Sequence, residues 1–172
     1  MDDGIALAVG RIAARFWRVG DRWRHEFRVR PTAADGDERA VAASVEGTPD
    51  EPWPASPPLT QVEPVQLADG RRGLLAIGVA GRSHWSASVT ADFDSCAIAF
   101  DVACRLSEAT ERLGSTYRLL VPDGGLVIEP LPIDGEPACR ILSDDGLCRI
   151  DVPMQAIRLP VTVRWRYLVR LA

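Results

Sequence analysis

The sequence predicts an all-β domain, either an antiparallel two-sheet sandwich or a closed or partly open barrel of about ten strands. Runs of alternating apolar and polar residues recur about every 8–12 residues, and most are joined by short links of the kind found in hairpins. No amphipathic helix of useful length interrupts them. A length of 172 residues fits one domain over residues 1–172.

Residues 4–19 fit either a strand or a helix. Apolar residues recur at three- and four-residue steps, as on one side of a helix: Ile5, Val9, Ile12, Phe16 and Val19. Gly10 would weaken such a helix by about 1 kcal/mol relative to Ala. Residues 23–29 alternate as a clear strand, and Val19–Arg22 has the composition of a hairpin turn. We therefore favour a strand over residues 6–18, bulged near Gly10.

A proline-rich loop separates the next two predicted strands, residues 39–46 and 72–80. Residues 47–64 contain six prolines, which cannot donate backbone hydrogen bonds, so we expect an extended surface loop. Trp53 in this loop either lies in a groove of the sheet or contacts a partner protein. The strand at 72–80 follows an Asp69-Gly70 turn and is apolar on both faces, so we expect it near the centre of a sheet.

The clearest element is an antiparallel hairpin over residues 83–106. One face of its two strands is apolar: Trp85, Ala87, Val89, Ala91, Ile98, Phe100, Val102, Cys104 and Leu106. The link at residues 92–95 has the Asp and Ser side chains that close turns. A one-residue slip would bring Asp101 and Arg105 into the core, so the register is well specified.

The remaining elements are one helix and several strands. Residues 107–113 predict a short helix, capped by Ser107 and ended by Gly114. Two further hairpins are predicted, one pairing 115–121 with 126–131 and the other pairing 138–142 with 147–152. The longest regular strand pattern covers residues 161–171.

Composition excludes several classes of protein and suggests a compartment. A net charge of −4 with a pI near 5.2 argues against a general nucleic-acid binder. No apolar run approaches the roughly 20 residues of a membrane helix, and no secretory signal is apparent, so we expect a cytoplasmic protein. All 20 basic residues are Arg, which indicates a GC-rich, bacterial genome.

Cysteine spacing predicts neither a metal site nor a cofactor. Cys96, Cys104, Cys139 and Cys148 include no CxxC pair, and the two histidines, His25 and His84, lie far apart in sequence. We expect reduced thiols, with Cys104 and Cys148 acting as small apolar side chains of the core.

Three functional hypotheses follow, and none rests on a family motif. The first is a non-catalytic binding or assembly module that contacts a protein partner or its own copies. The second is a lipocalin-like β-barrel that holds a small apolar ligand against four aromatic residues: Trp85, Phe100, Trp165 and Tyr167. The third, least favoured, is a hydrolase that uses Cys104 or Ser115 with His84. We lean against catalysis because phosphate-loop and hydrolase motifs are missing from the sequence.

One charged constellation is a candidate binding surface for anions or an acidic partner. Both ends of the chain carry an excess of arginine, at Arg24, Arg28, Arg30, Arg164, Arg166 and Arg170. If the two segments lie on one sheet, these side chains form a local basic patch despite the acidic total. The alternative is that they are solvated outer faces that discourage edge pairing.

Overall fold

The computed structural model describes residues 4–32, 36–121, 125–134, 139–154 and 158–172. Thirteen strands lie in this part of the chain: β1 (Ile5–Val9), β2 (Ile12–Val19), β3 (Arg22–Val29), β4 (Arg39–Ser44), β5 (Leu59–Gln66), β6 (Arg72–Ala80), β7 (Ser83–Asp92), β8 (Ala97–Leu106), β9 (Gly114–Leu119), β10 (Leu126–Leu131), β11 (Arg140–Asp144), β12 (Leu147–Asp151) and β13 (Val161–Leu171). The all-β prediction is confirmed.

The strands form two antiparallel sheets. One has seven strands in the order β1-β2-β3-β4-β9-β12-β11, and the other has six in the order β10-β13-β8-β7-β6-β5. Neither sheet closes on itself or on the other, so each has two edge strands. The sandwich alternative therefore fits and the barrel is not supported. The apolar faces of the two sheets meet in one core, whose largest fully buried side chains include Trp165, Tyr117 and Tyr167.

The predicted central hairpin is confirmed in bounds, register and face. β7 pairs with β8 so that Trp85 lies opposite Cys104 and Val89 opposite Phe100. All nine residues of its predicted apolar face are buried. Between the strands, the Asp92 carboxylate accepts hydrogen bonds from the backbone of Asp94 and the hydroxyl of Ser95. The same alternation places β6 and β13 within the predicted bounds.

The single strand predicted over residues 6–18 is wrong, because this segment is a second hairpin. β1 ends at Val9 and β2 begins at Ile12, with Val9 and Ile12 paired across the turn. Gly10 has a φ of 57°, a left-handed conformation that a tight two-residue turn requires and that glycine adopts without a Cβ penalty. The apolar alternation runs through both strands, so the sequence pattern hides the turn.

The helix predicted at residues 107–113 is not present. The chain here leaves β8 in one sheet and enters β9 in the other, so it crosses between the sheets. Leu113 is buried, and its carbonyl accepts a hydrogen bond from the backbone of Val152. The hydroxyl of Thr110 bonds to the backbone of Arg112 and holds a local turn. The segment has only weak helical propensity. Its conformation is set by the crossover between the sheets and by the burial of Leu113.

The hairpin predicted between residues 115–121 and 126–131 is also wrong, although its tip at residues 122–124 lies outside the described residues. β9 pairs with β4 on one side and with β12 on the other. Both of its edges are therefore occupied, and β10 pairs with β13 in the other sheet. The pairing predicted between 138–142 and 147–152, by contrast, is confirmed as β11 with β12. β11 runs on to Asp144, so the turn is two residues shorter than predicted, and residue 138 lies outside the described residues.

The proline-rich segment is partly a strand and partly packed against the protein. β5 begins within it at Leu59, and Pro64 is tolerated because β5 is an edge strand. Before β5, the ring of Trp53 lies 5.9 Å from that of Trp85. The buried hydroxyl of Ser56 donates to the carbonyl of Thr116 and accepts from its backbone N–H. Trp53 therefore lies against the sandwich, as one of the two sequence alternatives expects.

Candidate interaction surface

The outer face of the six-stranded sheet exposes large apolar side chains. Leu75, Ile77 and Val79 alternate with inward residues along β6 and are 50%, 53% and 47% exposed. We call these three residues the apolar ridge. β6 was expected near the centre of a sheet because both of its faces are apolar; it lies second from the edge, and only its inner face packs against the core. Burying such side chains typically gains roughly 1.5–3 kcal/mol each, so an exposed row of them is a candidate contact surface.

A shallow depression lies beside the apolar ridge. On β7 and β8 the outward positions carry small side chains, among them Ser86, Ser88 and Ala103. The depression has a volume of about 330 Å³, and its rim includes Leu75 and Ile77 of the ridge. We call it the trough. A ridge and a trough therefore lie side by side on one sheet face.

Charged side chains border the trough on β13. Arg164 Nη2 donates to both carboxylate oxygens of Asp101, at 3.1 and 2.8 Å. Arg166 Nε lies 3.5 Å from the same carboxylate. Two guanidinium groups thus share one acid, and this border is basic. The opposite border, on β5, carries Glu63, whose carboxylate accepts from the Gln61 amide at 2.5 Å.

The strand register fixes how these features line up. One row across the sheet runs Glu63, Leu75, Ser88, Asp101, Arg166. The next row runs Gln61, Ile77, Ser86, Ala103, Arg164. From β5 to β13, the outer face therefore passes from a polar, acidic border through the apolar ridge and the trough to a basic border.

The six arginines predicted as a patch lie on two different sheets. Arg24 and Arg28 are on β3 and Arg30 follows it, whereas Arg164, Arg166 and Arg170 are on β13. The outer faces of the two sheets of a sandwich point away from each other, so these sets do not form one surface. Several are also paired with acids: Arg28 contacts Glu26 and Glu38, and Arg170 contacts Glu129.

The four aromatic residues of the ligand hypothesis lie in the core. Trp85, Phe100, Trp165 and Tyr167 are each 4% exposed or less. Phe100 stacks on Tyr167 with ring centroids 5.0 Å apart and an interplanar angle of 4°. Trp165 Nε1 donates to the hydroxyl of Ser115 at 3.3 Å. The structure thus brings these residues together as packing partners of one another and of the opposite sheet.

The residues of the hydrolase hypothesis are not brought together. Cys104 and Ser115 are buried, whereas His84 is exposed on the outer face of β7. Cys104 points inward from the same sheet, so its thiol and the His84 ring lie on opposite faces. Burial raises the pKa of Cys104 to about 12, and a thiol at that pKa is a poor source of the thiolate nucleophile.

Sequence reasoning missed a buried polar chain that links the sheets. His25 Nε2 lies 2.9 Å from the Tyr117 hydroxyl, which lies 2.6 Å from the Tyr167 hydroxyl. The His25 ring also stacks on Phe16 and Phe100, with centroids 4.8 and 5.5 Å apart. Burial lowers the pKa of His25 to about 3, so the ring is neutral at pH 7. The sequence signal was a histidine on a strand face that is otherwise apolar, beside Trp23, Phe27 and Val29.

A second ionisable group, with one buried carboxylate oxygen, lies two residues after the end of β4. Burial raises the pKa of Glu46 to about 7, against the opposing effects of the Ser44 hydroxyl, Arg24 and Arg22. The Ser44 hydroxyl lies 2.5 Å from one carboxylate oxygen, while the other is buried without a hydrogen-bond partner. Arg22 is 5% exposed, and its Nη1 is also unpartnered. These polar groups lie near the His25 chain but do not form a closed ion pair.

Comparison of the chain with protein-family models, curated proteins and solved structures finds no match. Within the described ranges, no three His, Cys, Asp or Glu side chains are grouped so as to hold a metal ion. No helix in the same part of the chain is long and apolar enough to cross a membrane.

Proposed function

We propose that this chain is an assembly module whose copies associate through the outer face of the six-stranded sheet. The observation that carries the proposal is the apolar ridge of Leu75, Ile77 and Val79, about half exposed beside a trough of small side chains. A surface that holds both a ridge and a matching depression is complementary to itself, as a two-fold interface requires. The partner that such a self-complementary face fits best is a second copy of the chain.

Charge supports the same arrangement. A two-fold axis lying along β7 would exchange β5 with β13 and β6 with β8 between the two copies. Glu63 of one copy would then face Arg166 of the other, because both belong to one row of the sheet. In the next row, Ile77 would lie over Ala103 of the second copy. Opposite charges therefore meet at both borders, and Ile77 at the middle of the ridge lies over a small side chain. Leu75 and Val79 lie over Asp101 and Arg105 of the second copy, at the two ends of the ridge.

Size predicts a weak interface. Five strands spaced about 4.8 Å apart and five residues long present a flat area of about 400 Å² per copy. Stable interfaces bury about 800 Å² per partner, so association should be concentration-dependent rather than permanent.

The cytoplasmic location belongs to the same proposal. All four cysteines are free, as a reducing compartment would keep them.

The test is the mass of the protein as a function of concentration, by sedimentation and light scattering up to about 1 mM. Ile77→Glu places a charge in the middle of the ridge and should weaken association at least tenfold. Leu142→Glu is the matched control, since Leu142 is similarly exposed, at 43%, but lies on β11 of the other sheet. Equal association of both variants and the parent would contradict the proposal.

A charge exchange tests the orientation. Glu63→Arg should weaken association, and adding Arg166→Glu should restore it, because each border then again faces its opposite. If the double variant associates more weakly than either single variant, the two-fold axis does not lie along β7.

A further inference from the structure

The two sheets have four edge strands, and three of them carry residues that discourage pairing with another strand. β5 contains Glu63 and Pro64, β10 contains Glu129 and Pro130, and β11 begins at Arg140 and ends at Asp144. Charged residues and prolines of this kind are the usual means of blocking an edge. The fourth edge, β1, has the sequence Ile-Ala-Leu-Ala-Val, with neither charge nor proline.

The hairpin register shows which backbone groups of β1 point outward. Val9 and Ile12 flank the two-residue turn and form a hydrogen-bonded pair, so bonded pairs recur at Leu7 and Ile5. Ala6 and Ala8 lie between them, and their N–H and C=O groups point away from β2. Among the described residues, no backbone hydrogen bond outside the β1–β2 ladder involves Ala6 or Ala8. The side chains of Ala6 and Ala8 are also exposed and small.

We propose that β1 pairs in antiparallel register with β1 of a second copy, about a two-fold axis at Leu7. Ala6 of each copy then lies opposite Ala8 of the other, and the pairing forms about four backbone hydrogen bonds. The alanine side chains leave room for close approach. Leu7, which is 6% exposed, lies beside its symmetry mate, so the inner apolar faces of the two cores become continuous.

A second copy fits this edge better than an unrelated peptide. Peptides that add to a sheet edge gain specificity from pockets for alternate side chains, and the outward alanines of β1 build none. The symmetric pairing requires no such pocket, because the register is set by the axis at Leu7. This inference rests on residues distinct from the ridge and trough. With both surfaces active, each copy has two different two-fold interfaces, and association continues into open chains.

The experiment uses the full chain carrying Ile77→Glu, which removes the outer-face interface and isolates β1. We expect this variant to form dimers and no larger species. Amide exchange of Ala6 and Ala8 should slow at least tenfold between dilute and concentrated protein. The amides of Ile141 and Ser143, which point outward from the blocked edge β11, are the internal control and should not change. A monomer at all concentrations up to about 1 mM, or unchanged exchange at Ala6 and Ala8, would overturn the proposal.

Matched variants in the same background test the backbone itself. Ala6→Pro removes an outward N–H that β2 does not use, and it should raise the dissociation constant at least tenfold. Ala6→Thr keeps the N–H and should change it less than threefold. Ala8→Lys supplies a second way to block the edge, should Ala6→Pro fail to fold. Dimers formed equally by all three variants would overturn the proposed pairing of β1 with β1. The proposed outer-face interface is tested separately, by the loss of larger assemblies in the Ile77→Glu variant alone.

Discussion

The hydroxyl oxygens of Tyr117 and Tyr167 lie 2.6 Å apart, and this hydrogen bond joins the two sheets inside the core. Tyr117 also contacts His25 Nε2 at 2.9 Å, so its hydroxyl serves two partners. All three side chains are 6% exposed or less. A buried polar group without a hydrogen-bond partner lowers the free energy of unfolding. Breaking the hydrogen bonds among His25, Tyr117 and Tyr167 should therefore destabilise the protein.

Tyr117→Phe should therefore destabilise the protein more than Tyr167→Phe. The first variant leaves His25 Nε2 without its partner, at a cost of about 1–3 kcal/mol for a buried polar group left unpaired. It also removes one contact of the Tyr167 hydroxyl, which keeps its contact with Ser115. The second variant keeps the bond between His25 and Tyr117. Urea unfolding of both variants measures the difference. Equal losses would show that the hydroxyl of Tyr117 does not bridge the two groups.

Stability between pH 4.5 and 6.5 should depend on two opposing groups. His25 has a pKa of about 3 when folded against an ordinary 6.5, so the unfolded chain binds an extra proton and stability falls as pH drops below 6.5. Glu46 has a pKa of about 7 against an ordinary 4.5, so the folded protein binds the extra proton and stability falls as pH rises from 4.5 to 7. In the parent protein the two slopes largely cancel.

Glu46→Gln should reveal the pH dependence of the free energy of unfolding that His25 causes. In this variant the free energy of unfolding should fall from pH 6.5 downward, by up to about 1.4 kcal/mol per pH unit. Urea melts at pH 5.0–6.5 avoid the titration of three carboxylates whose pKa values are lowered by hydrogen bonds and which protonate at lower pH: Asp69, Asp92 and Glu129. His25→Phe in the same background should flatten the curve again. A slope that survives this second change must come from another group.

Phe100→Asp should abolish cooperative unfolding. Phe100 is 3% exposed, stacks on Tyr167 and lies at the centre of β8, so a carboxylate there would be buried without a partner. Phe93→Asp is the control, because Phe93 is 60% exposed in the neighbouring turn and its replacement should change stability by less than about 0.5 kcal/mol. Thermal unfolding followed by near-ultraviolet dichroism distinguishes them. Cooperative melting of Phe100→Asp would mean that the inner face of β8 is wrongly assigned.

Ser56→Ala should loosen the proline-rich segment from the sheet. The substitution leaves the buried N–H of Thr116 without the Ser56 hydroxyl, while the Thr116 carbonyl keeps its hydrogen bond from the backbone of Val45. The hydrogen bond from the Thr116 hydroxyl to the carbonyl of Ala55 remains. We expect a loss of about 2 kcal/mol and faster proteolytic cleavage near Trp53. Thr162→Ala, at an exposed position of β13, should leave the cleavage rate unchanged. If the parent is already cut rapidly near Trp53, the segment is not held by these bonds.

Local alternation and turn residues predicted individual strands and the β7–β8 and β11–β12 hairpins, but not the pairing between strands distant in sequence. The faces of β7, β8 and β13 follow from side chains two residues apart, which the sequence displays directly. The partners of β9 do not, since β4 and β12 are not joined to it by a short turn and no local pattern marks them as its neighbours. The turn at Gly10 was missed for a related reason: the apolar pattern is the same on both sides of it.

The candidate surface was partly visible in the sequence. The apolar outer residues of β6 were apparent, but alternation alone does not show whether an outer face is covered. The arginine patch failed to form because β3 and β13 belong to different sheets. The contact between Tyr117 and Tyr167 joins residues 50 positions apart, and no local pattern encodes such a contact.

The position of β13 has a consequence for synthesis on the ribosome. This strand follows all the others in the chain, yet it lies between β8 and β10. Until residues 161–171 emerge, β8 keeps one unpaired backbone edge, β10 has no partner strand, and Phe100 lacks the Tyr167 ring. From the completion of β8 until β13 is made, the nascent chain therefore carries an incomplete sheet with unpaired edges, and its yield in cells should respond to chaperones that shield extended segments.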